Sequence, residues 1–244
     1  MKIAIPSTVV AALGLASTSA ELLTAEDFVK IRCSIDGTDV FYKWAGSIYS
    51  YEPQKKQKHL LNFVGYNVGR CEKIDGDWYL ITREISYYTD PLTNKRIDSW
   101  NNPMTGETVM VAHVANDPVN NGMGGPVATN LEGNSMVIDS DVNLFYTNPL
   151  HDNQTFWEYS GIYPQYQGGE YFKFYYDDKE LKSATNKVDN VPISWTRFSQ
   201  WLPWMKMAET PGHIFYSCSG ARVEDLSSLP LWLQEDIQSR MSLY

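Results

Sequence analysis

The densest concentration of side chains that could do chemistry is Ser194-Trp195-Thr196-Arg197-Phe198-Ser199-Gln200-Trp201-Leu202-Pro203-Trp204-Met205-Lys206-Met207. If its first part is extended, Trp195 and Arg197 share one face. Indole surfaces, soft thioethers and a fixed cation can hold a flat apolar ligand and aim a positive charge at its carbonyl. A core strand whose Arg and Lys stems reach outward to water has the same composition. Aromatic richness runs through the whole chain, with 16 Tyr and 8 Trp beside 9 Phe. Tyr and Trp carry a polar end that must be satisfied when buried, which suits a wet cavity or a recognition surface.

Other catalytic signatures are missing from the sequence. It has no Gly-x-Ser-x-Gly elbow, no His-Glu-x-x-His and no Cys-x-x-Cys. Gly122, Gly124 and Gly125 precede no helix pattern, so they read as a loop and not as a phosphate cradle. The histidines His59, His113, His151 and His213 are far apart, and their spacing matches no metal motif. The acidic pairs Asp177-Asp178 and Glu224-Asp225 read as solvated charges and not as a glycosidase dyad. No serine or cysteine nucleophile is singled out next to a histidine base.

Extended segments are what must position these groups. Thr24-Ala25-Glu26-Asp27 predicts a helix start that runs to Lys30 or Arg32. Strand patterns follow at 39–44 and 47–51, parted at Ala45-Gly46. Leu60 to Ile74 and Trp78 to Tyr88 flank Asp75-Gly76-Asp77, a hairpin signal. Alternation puts Leu60, Asn62, Val64, Tyr66, Val68 and Arg70 on one face and Leu61, Phe63, Gly65, Asn67, Gly69 and Cys71 on the other. Neither face is purely polar, as when a sheet closes around something. Residues 90–106 and 117–129 are rich in turn formers, and 109–115 is strand-like. Further strands are predicted at 136–146, 170–176, 191–198 and 213–219, with a terminal helix over 226–240. The expected fold is mainly β: one antiparallel, lipocalin-like barrel or strongly curved sheet with short flanking helices, spanning residues 21–244.

Residues 1–20 have the three parts of a signal peptide: Lys2, a short apolar run to Leu15, and small residues ending Ser19-Ala20. The run is too short to span a bilayer. A secreted protein starting near Glu21, without a stable membrane anchor, is therefore expected. The formal charge of −9 argues against a nucleic-acid partner; Lys55-Lys56-Gln57-Lys58-His59 reads as a solvated loop. Cys33, Cys71 and Cys218 leave three possible pairings and one spare thiol in an oxidising compartment. Asn153-Gln154-Thr155 is a glycosylation sequon, with Asn153 the acceptor.

Several motifs together carry a resemblance. They are Cys33-Ser34-Ile35-Asp36-Gly37, Gly65-Tyr66-Asn67-Val68-x-Arg70, Ser86-Tyr87-Tyr88-Thr89-Asp90-Pro91-Leu92-Thr93, Trp100-Asn101-Asn102-Pro103-x-Thr105-Gly106-Glu107, His113-Val114-Ala115-Asn116-Asp117-Pro118-Val119-Asn120, and the Ser194 to Met207 block. The chain resembles the domain-of-unknown-function 1838 family over nearly all of its mature length, a label that assigns no reaction. It is also similar to the secreted hetero-Diels–Alderases of fungal tropolone–sesquiterpenoid pathways. That similarity implies an intermolecular [4+2] cycloaddition between a tropolone o-quinone methide, formed by loss of water from a hydroxymethyl precursor, and an alkene of a humulene-type macrocycle. A dihydropyran results, and no cofactor or metal is needed. For such chemistry Arg197, Arg70 or Lys206 would donate to the tropolone oxygens, with Tyr66 or His113 as helpers. Trp195, Trp201, Trp100, Tyr175 and Asn116 would contact the hydrophobic substrates. A non-catalytic carrier of a hydrophobic molecule and a secreted hydrolase are the alternatives.

Overall fold

The computed structural model describes residues 22–132, 135–148 and 164–241. The expected signal peptide, His151 and the Asn153 sequon lie outside the described residues. Along the chain come β1 (Leu22–Leu23), α1 (Ala25–Arg32), β2 (Val40–Tyr51), β3 (His59–Ile74) and β4 (Asp77–Thr89). The short strands β5 (Ser99–Asn101), β6 (Thr108–Met110), β7 (Val114–Asp117), β8 (Asn121–Gly122), β9 (Val127–Ala128) and β10 (Asn130–Glu132) follow. Then come β11 (Ser135–Thr147), β12 (Gln165–Tyr176), α2 (Asp178–Ser183), β13 (Pro192–Ser199), β14 (His213–Val223) and α3 (Leu231–Arg240).

The described residues build one ten-stranded sheet in the order β10-β11-β12-β13-β14-β2-β3-β4-β7, with β8 also on β4. Every pairing in it is antiparallel. The protein is mainly β, as expected, but among the described residues the strands do not close into the lipocalin-like barrel that was one form of the expected fold. The hydrogen-bonded path has two free ends, β10 and β7. At the β7 end the ladder to β4 is irregular between Glu84 and Ser86, and Asn116 takes a left-handed φ of 53°. Such a kink interrupts pairing and leaves no regular edge to continue it.

The sheet is nonetheless strongly curved. Tyr88 on β4 and Tyr216 on β14 are three strands apart, which in a flat sheet is roughly 14 Å. Their hydroxyls are 3.3 Å apart. Phe63 on β3 and Trp195 on β13, also three strands apart, have ring centroids at 5.7 Å. The concave face thus curls into a hollow that its own packed aromatic rings line and fill. Gly65 lets it do so: a Cβ there would fall 2.2 Å from the Trp44 ring, so only glycine lets that indole lie on the sheet. Gly46 acts in the same way beneath Cys218, whose Sγ would be 2.5 Å from a Cβ. The pair Ala45-Gly46 is therefore a close approach inside one continuous strand, not the break that the sequence predicts.

The two ends of the hollow are closed differently. At one end α1 starts where predicted, with a capping box between Thr24 and Asp27, and Phe28 packs edge-on against Phe174 at 6.4 Å. The last carbonyls of α1 need partners. Arg222 supplies them, donating to Ile31 at 2.6 Å, Cys33 at 3.2 Å and the Tyr42 hydroxyl at 3.1 Å. A disulfide joins Cys33, the C-cap of α1, to Cys71 on β3, and Cys218 is the buried free thiol. At the other end the turn Pro203–Met205 puts Trp204 against Tyr88 at 5.1 Å and Trp100 at 5.9 Å. The Asn102 side chain fixes this turn by donating to the Met205 carbonyl at 3.0 Å.

Outside the hollow, α3 covers the convex face of β3 and β4, where Leu229, Leu233 and Ile237 pack on Tyr66, Val68, Ile85 and Tyr87. The predicted terminal helix is shortened because Pro230 is its N-cap and 226–228 is a separate turn. Asp177-Asp178 belongs to a helix that the sequence reading did not include, with Asp177 capping the Lys179 and Glu180 amides. Among the described residues no helix is long and apolar enough to cross a membrane.

Unfolding without reductant and alkylating should label Cys218 alone. Reducing the bridge, whose ends are 38 residues apart, should then lower stability by up to about 4 kcal/mol. Three labelled thiols before reduction, or a denaturation midpoint indifferent to reductant, would contradict this pairing.

Candidate functional site

The site is built from strand positions that share the concave face. On β13, Trp195 and Arg197 point into the hollow. Their register partners are Phe172 and Glu170 on β12 and Cys218 and Tyr216 on β14. The Arg197 guanidinium donates from Nη1 to Glu170 at 3.1 Å and from Nη2 to the Tyr166 hydroxyl at 2.8 Å. It also lies over the rings of Tyr166 and Tyr216, 5.3 and 5.5 Å from their centroids. The Tyr166 hydroxyl in turn donates a hydrogen bond to Ser199 Oγ at 2.8 Å, which fixes the direction of that chain. The Arg197 and Glu170 side chains each keep 16% of their surface accessible. The ion pair therefore lies among buried rings at the margin of the core and still reaches solvent. Arg197 Nε has no hydrogen-bond partner among the described residues.

Across the hollow stands Glu84 on β4, in register with Asn67 and on the same face as Ser86 and Tyr88. A flat sheet would put β4 and β12 roughly 24 Å apart, yet Glu84 senses the charges of both Glu170 and Arg197. Burial first, then Glu170, push the Glu84 carboxyl up to about 7, against a hydrogen bond from Ser86 and the pull of Arg197. That bond, Ser86 Oγ to Glu84 Oε1, is 3.0 Å long. Glu170 is also raised by burial, with Arg197 and the Trp195 indole drawing it back. Beyond Glu84, Arg32 from the end of α1 lies over the Tyr42 ring at 4.8 Å and donates from Nη2 to Asn67 at 3.3 Å. Its Nη1 and the Trp44 indole N–H are buried without hydrogen-bond partners among the described residues. Burial raises Tyr88 to about 12 and lifts Tyr216 further above its ordinary range. Both are therefore neutral hydroxyls.

Of the sequence-predicted residues, the structure brings Arg197 and Trp195 into this site and puts Asn116 at its edge, in the kink beside the Glu84–Asp117 register pair. Tyr66 and Arg70 are on the opposite face of β3. There Tyr66 stacks on Phe41 at 6.0 Å under α3, and Arg70 pairs with Glu72 at 2.7 Å. Tyr175 is likewise on the convex face, one residue out of phase with Phe172 and Phe174. Lys206 is exposed, with Nζ 3.6 Å from Glu107. Trp201 is buried, donating to the Thr210 carbonyl at 2.9 Å, and Trp100 packs behind Trp204. His113 holds β4 in place: its Nδ1 accepts the Tyr88 amide at 3.2 Å and its Nε2 donates to the Ile97 carbonyl at 2.9 Å. Burial, then Arg96, lower it to about 4.

Glu84, Glu170, Tyr166 and Tyr216 are the site residues that the sequence reading missed. A usable signal was there: Glu84-Arg83-type charges sit mid-strand in an otherwise apolar segment, and Glu84, Ser86 and Tyr88 alternate on one face. Among the described residues no three His, Cys, Asp or Glu side chains gather as a metal-binding group.

Residues 37–244 match the model of a family described as a protein of unknown function, DUF1838. The chain belongs to that family. No curated protein matches it. In this DUF1838 chain the match covers every strand of the hollow from β2 onward, so the ion pair and Glu84 lie within the family region.

Glu84 also gives this chain a pH signature. Its proton is held more tightly folded than unfolded, so its contribution is favourable below about 4.5 and is lost as pH rises towards about 7. Glu84→Gln should therefore raise the thermal midpoint over the native protein at pH 8, with the gap closing towards pH 4.5. A variant less stable at pH 8, or a gap that does not change with pH, would contradict a carboxyl desolvated in the hollow.

Proposed function

We propose that the protein is a secreted, cofactor-independent pericyclase. It joins a tropolone o-quinone methide and a humulene-type polyene by hetero-Diels–Alder cycloaddition to give a dihydropyran. The observation that supports this reading best is Arg197, a permanently charged donor fixed by Glu170 and Tyr166 beside the Trp195 ring and still open to solvent. A heterodiene accepts electron density as it reacts, and the charge collects on its carbonyl oxygen. A donor already aimed at that position lowers the barrier without reorganising. Trp195, Phe172, Phe63 and Trp44 would hold the flat ring and the apolar macrocycle together, replacing lost translational freedom and selecting one face. Keeping water from the electrophile suppresses its hydration.

The hydrolytic alternative finds less support. Burial raises the Cys218 thiol to about 12, so it is not a thiolate at neutral pH. The ring nitrogens of His113 are both engaged by backbone, and Nε2 of His59 contacts Asn62 and the Leu61 carbonyl.

Arg197→Met should lower the rate of adduct formation about 100-fold and erode its stereochemical purity. Arg70→Met, altered on the other face of the sheet, should stay within about twofold of the native rate. The assay is chiral chromatography of the adduct from a quinone-methide precursor and a polyene. An Arg197→Met protein with native rate and stereochemistry would remove the reading, and tight binding with only racemic product would make the protein a carrier.

A further inference from the structure

Tyr51, Tyr171 and Phe198 keep 59%, 52% and 40% of their surface accessible. Alternation puts all three on the convex face, opposite in phase to Trp195, Phe172 and Tyr216. The register assembles them with their neighbours into a row of rings. Tyr49 on β2 is opposite Phe215 on β14, Phe215 is opposite Phe198 on β13, and Phe198 is opposite Gly169 on β12. Gly169 has no side chain, and Tyr171 takes its place: a Cβ there would fall 2.9 Å from the Tyr171 hydroxyl and 3.3 Å from its ring. That ring therefore lies along the strand over the glycine, in line with Phe198. His59 on β3 extends the row beyond Tyr49, with ring centroids 5.1 Å apart. Tyr51 and His213 flank Phe198 at 6.3 and 4.8 Å. A second, polar row runs beside the first. Asn62, Ser47, Ser217 and Thr196 are opposite one another on β3, β2, β14 and β13, and Ser47 Oγ donates to the Asn62 side chain at 3.3 Å. Neither row contains Lys, Arg, Asp or Glu, in a chain that is 20% charged. Charge begins at the margin, with Asp141 opposite Tyr171.

We propose that this face binds a neutral polysaccharide, laid across the strands along the row of rings. Contiguous exposed apolar surface marks a binding site, and the two rows together specify what kind. A pyranose has an apolar face of C–H bonds and a rim of hydroxyls. Stacked on the rings, its C–H face covers surface that otherwise stays in water, while its rim reaches the hydroxyls and amide of the polar row. Charge complementarity selects an uncharged polymer. An acidic one needs Lys or Arg, which both rows lack, and the formal charge of −9 repels it. Length selects a chain over a single sugar, because the ring row crosses five strands, about 19 Å. Other occupants fit less well. A membrane surface calls for Lys and Arg beside the rings. Protein interfaces are depleted in Ser and enriched in Arg and Met, the reverse of these rows. The face is turned away from Arg197, so its ligand is independent of the chemistry in the hollow.

Depletion of the full chain from solution by insoluble cellulose, chitin and β-1,3-glucan, at low and at high salt, tests this. At least one of the three should retain the native protein, and to the same extent at both salt concentrations. Phe198→Ala and Tyr171→Ala should each weaken retention about tenfold while melting as the native protein does. Gly169→Ala should weaken it with every ring still present, because the Tyr171 ring must leave its seat. Should Phe198→Ala fail to fold, Tyr51→Ala replaces it, with the same expected loss. Retention by none of the three, retention that falls as salt rises, or native retention by a folded Phe198→Ala or Tyr51→Ala would each overturn the proposal. So would a native dimer in sedimentation that Phe198→Ala dissolves, which would give the face to a second copy. Binding to phosphatidylcholine vesicles in place of the three polysaccharides would overturn it as well.

Discussion

The Arg197 charge, buried among Trp195, Tyr166 and Tyr216, is compensated by Glu170, 3.1 Å away on the neighbouring strand. A lone guanidinium on that face would be desolvated without compensation, and removing one partner of such a pair typically costs several kcal/mol. The pairing is dictated by register: position 197 is opposite 170, and both alternate onto the concave side. Once that pair is set, the field inside the hollow follows. It holds the positive donor in place and, across the gap, leaves Glu84 facing a carboxylate that discourages a second negative charge.

This electrostatic arrangement requires curvature, and curvature is written into small residues and closures. Gly65 and Gly46 give Trp44 and Cys218 room to lie on the sheet, so side chains from strands three apart meet over them. The Arg222 clamp on the α1 carbonyls and the Cys33–Cys71 bridge fix one end. The Trp204 turn closes the other. Because the described strands leave the sheet unclosed at β7 and β10, its shape depends on these closures more than it would in a ring of continuous hydrogen bonds.

Much of the local structure was legible in the sequence. The capping box at Thr24, the Asp75-Gly76 hairpin and the division of β3 into two faces all follow from pattern and turn chemistry. What pattern could not say is which face of β3 lies inside. Both faces are apolar, because α3 covers the convex side around Tyr66, so the candidate list drew Tyr66 and Arg70 from one face and Arg197 from the other. Glu84 was invisible for a related reason: its environment is made by β12 and β13, more than 80 residues away in the chain, and no local motif reports that. The disulfide could not be chosen among three pairings until curvature and α1 brought Cys33 to Cys71. Asp177-Asp178 looked like solvated charge, because a cap and a free acid differ only in what the backbone does next.

The account depends most on whether the hollow receives a flat, oxygen-bearing ring at Arg197. A structure of the protein with tropolone itself bound answers this directly. The prediction is a ring lying against Trp195 with an oxygen about 2.7–3.2 Å from an Arg197 nitrogen. Tropolone bound only on the convex face, or density for it in the hollow with its oxygens turned away from Arg197, would contradict the account.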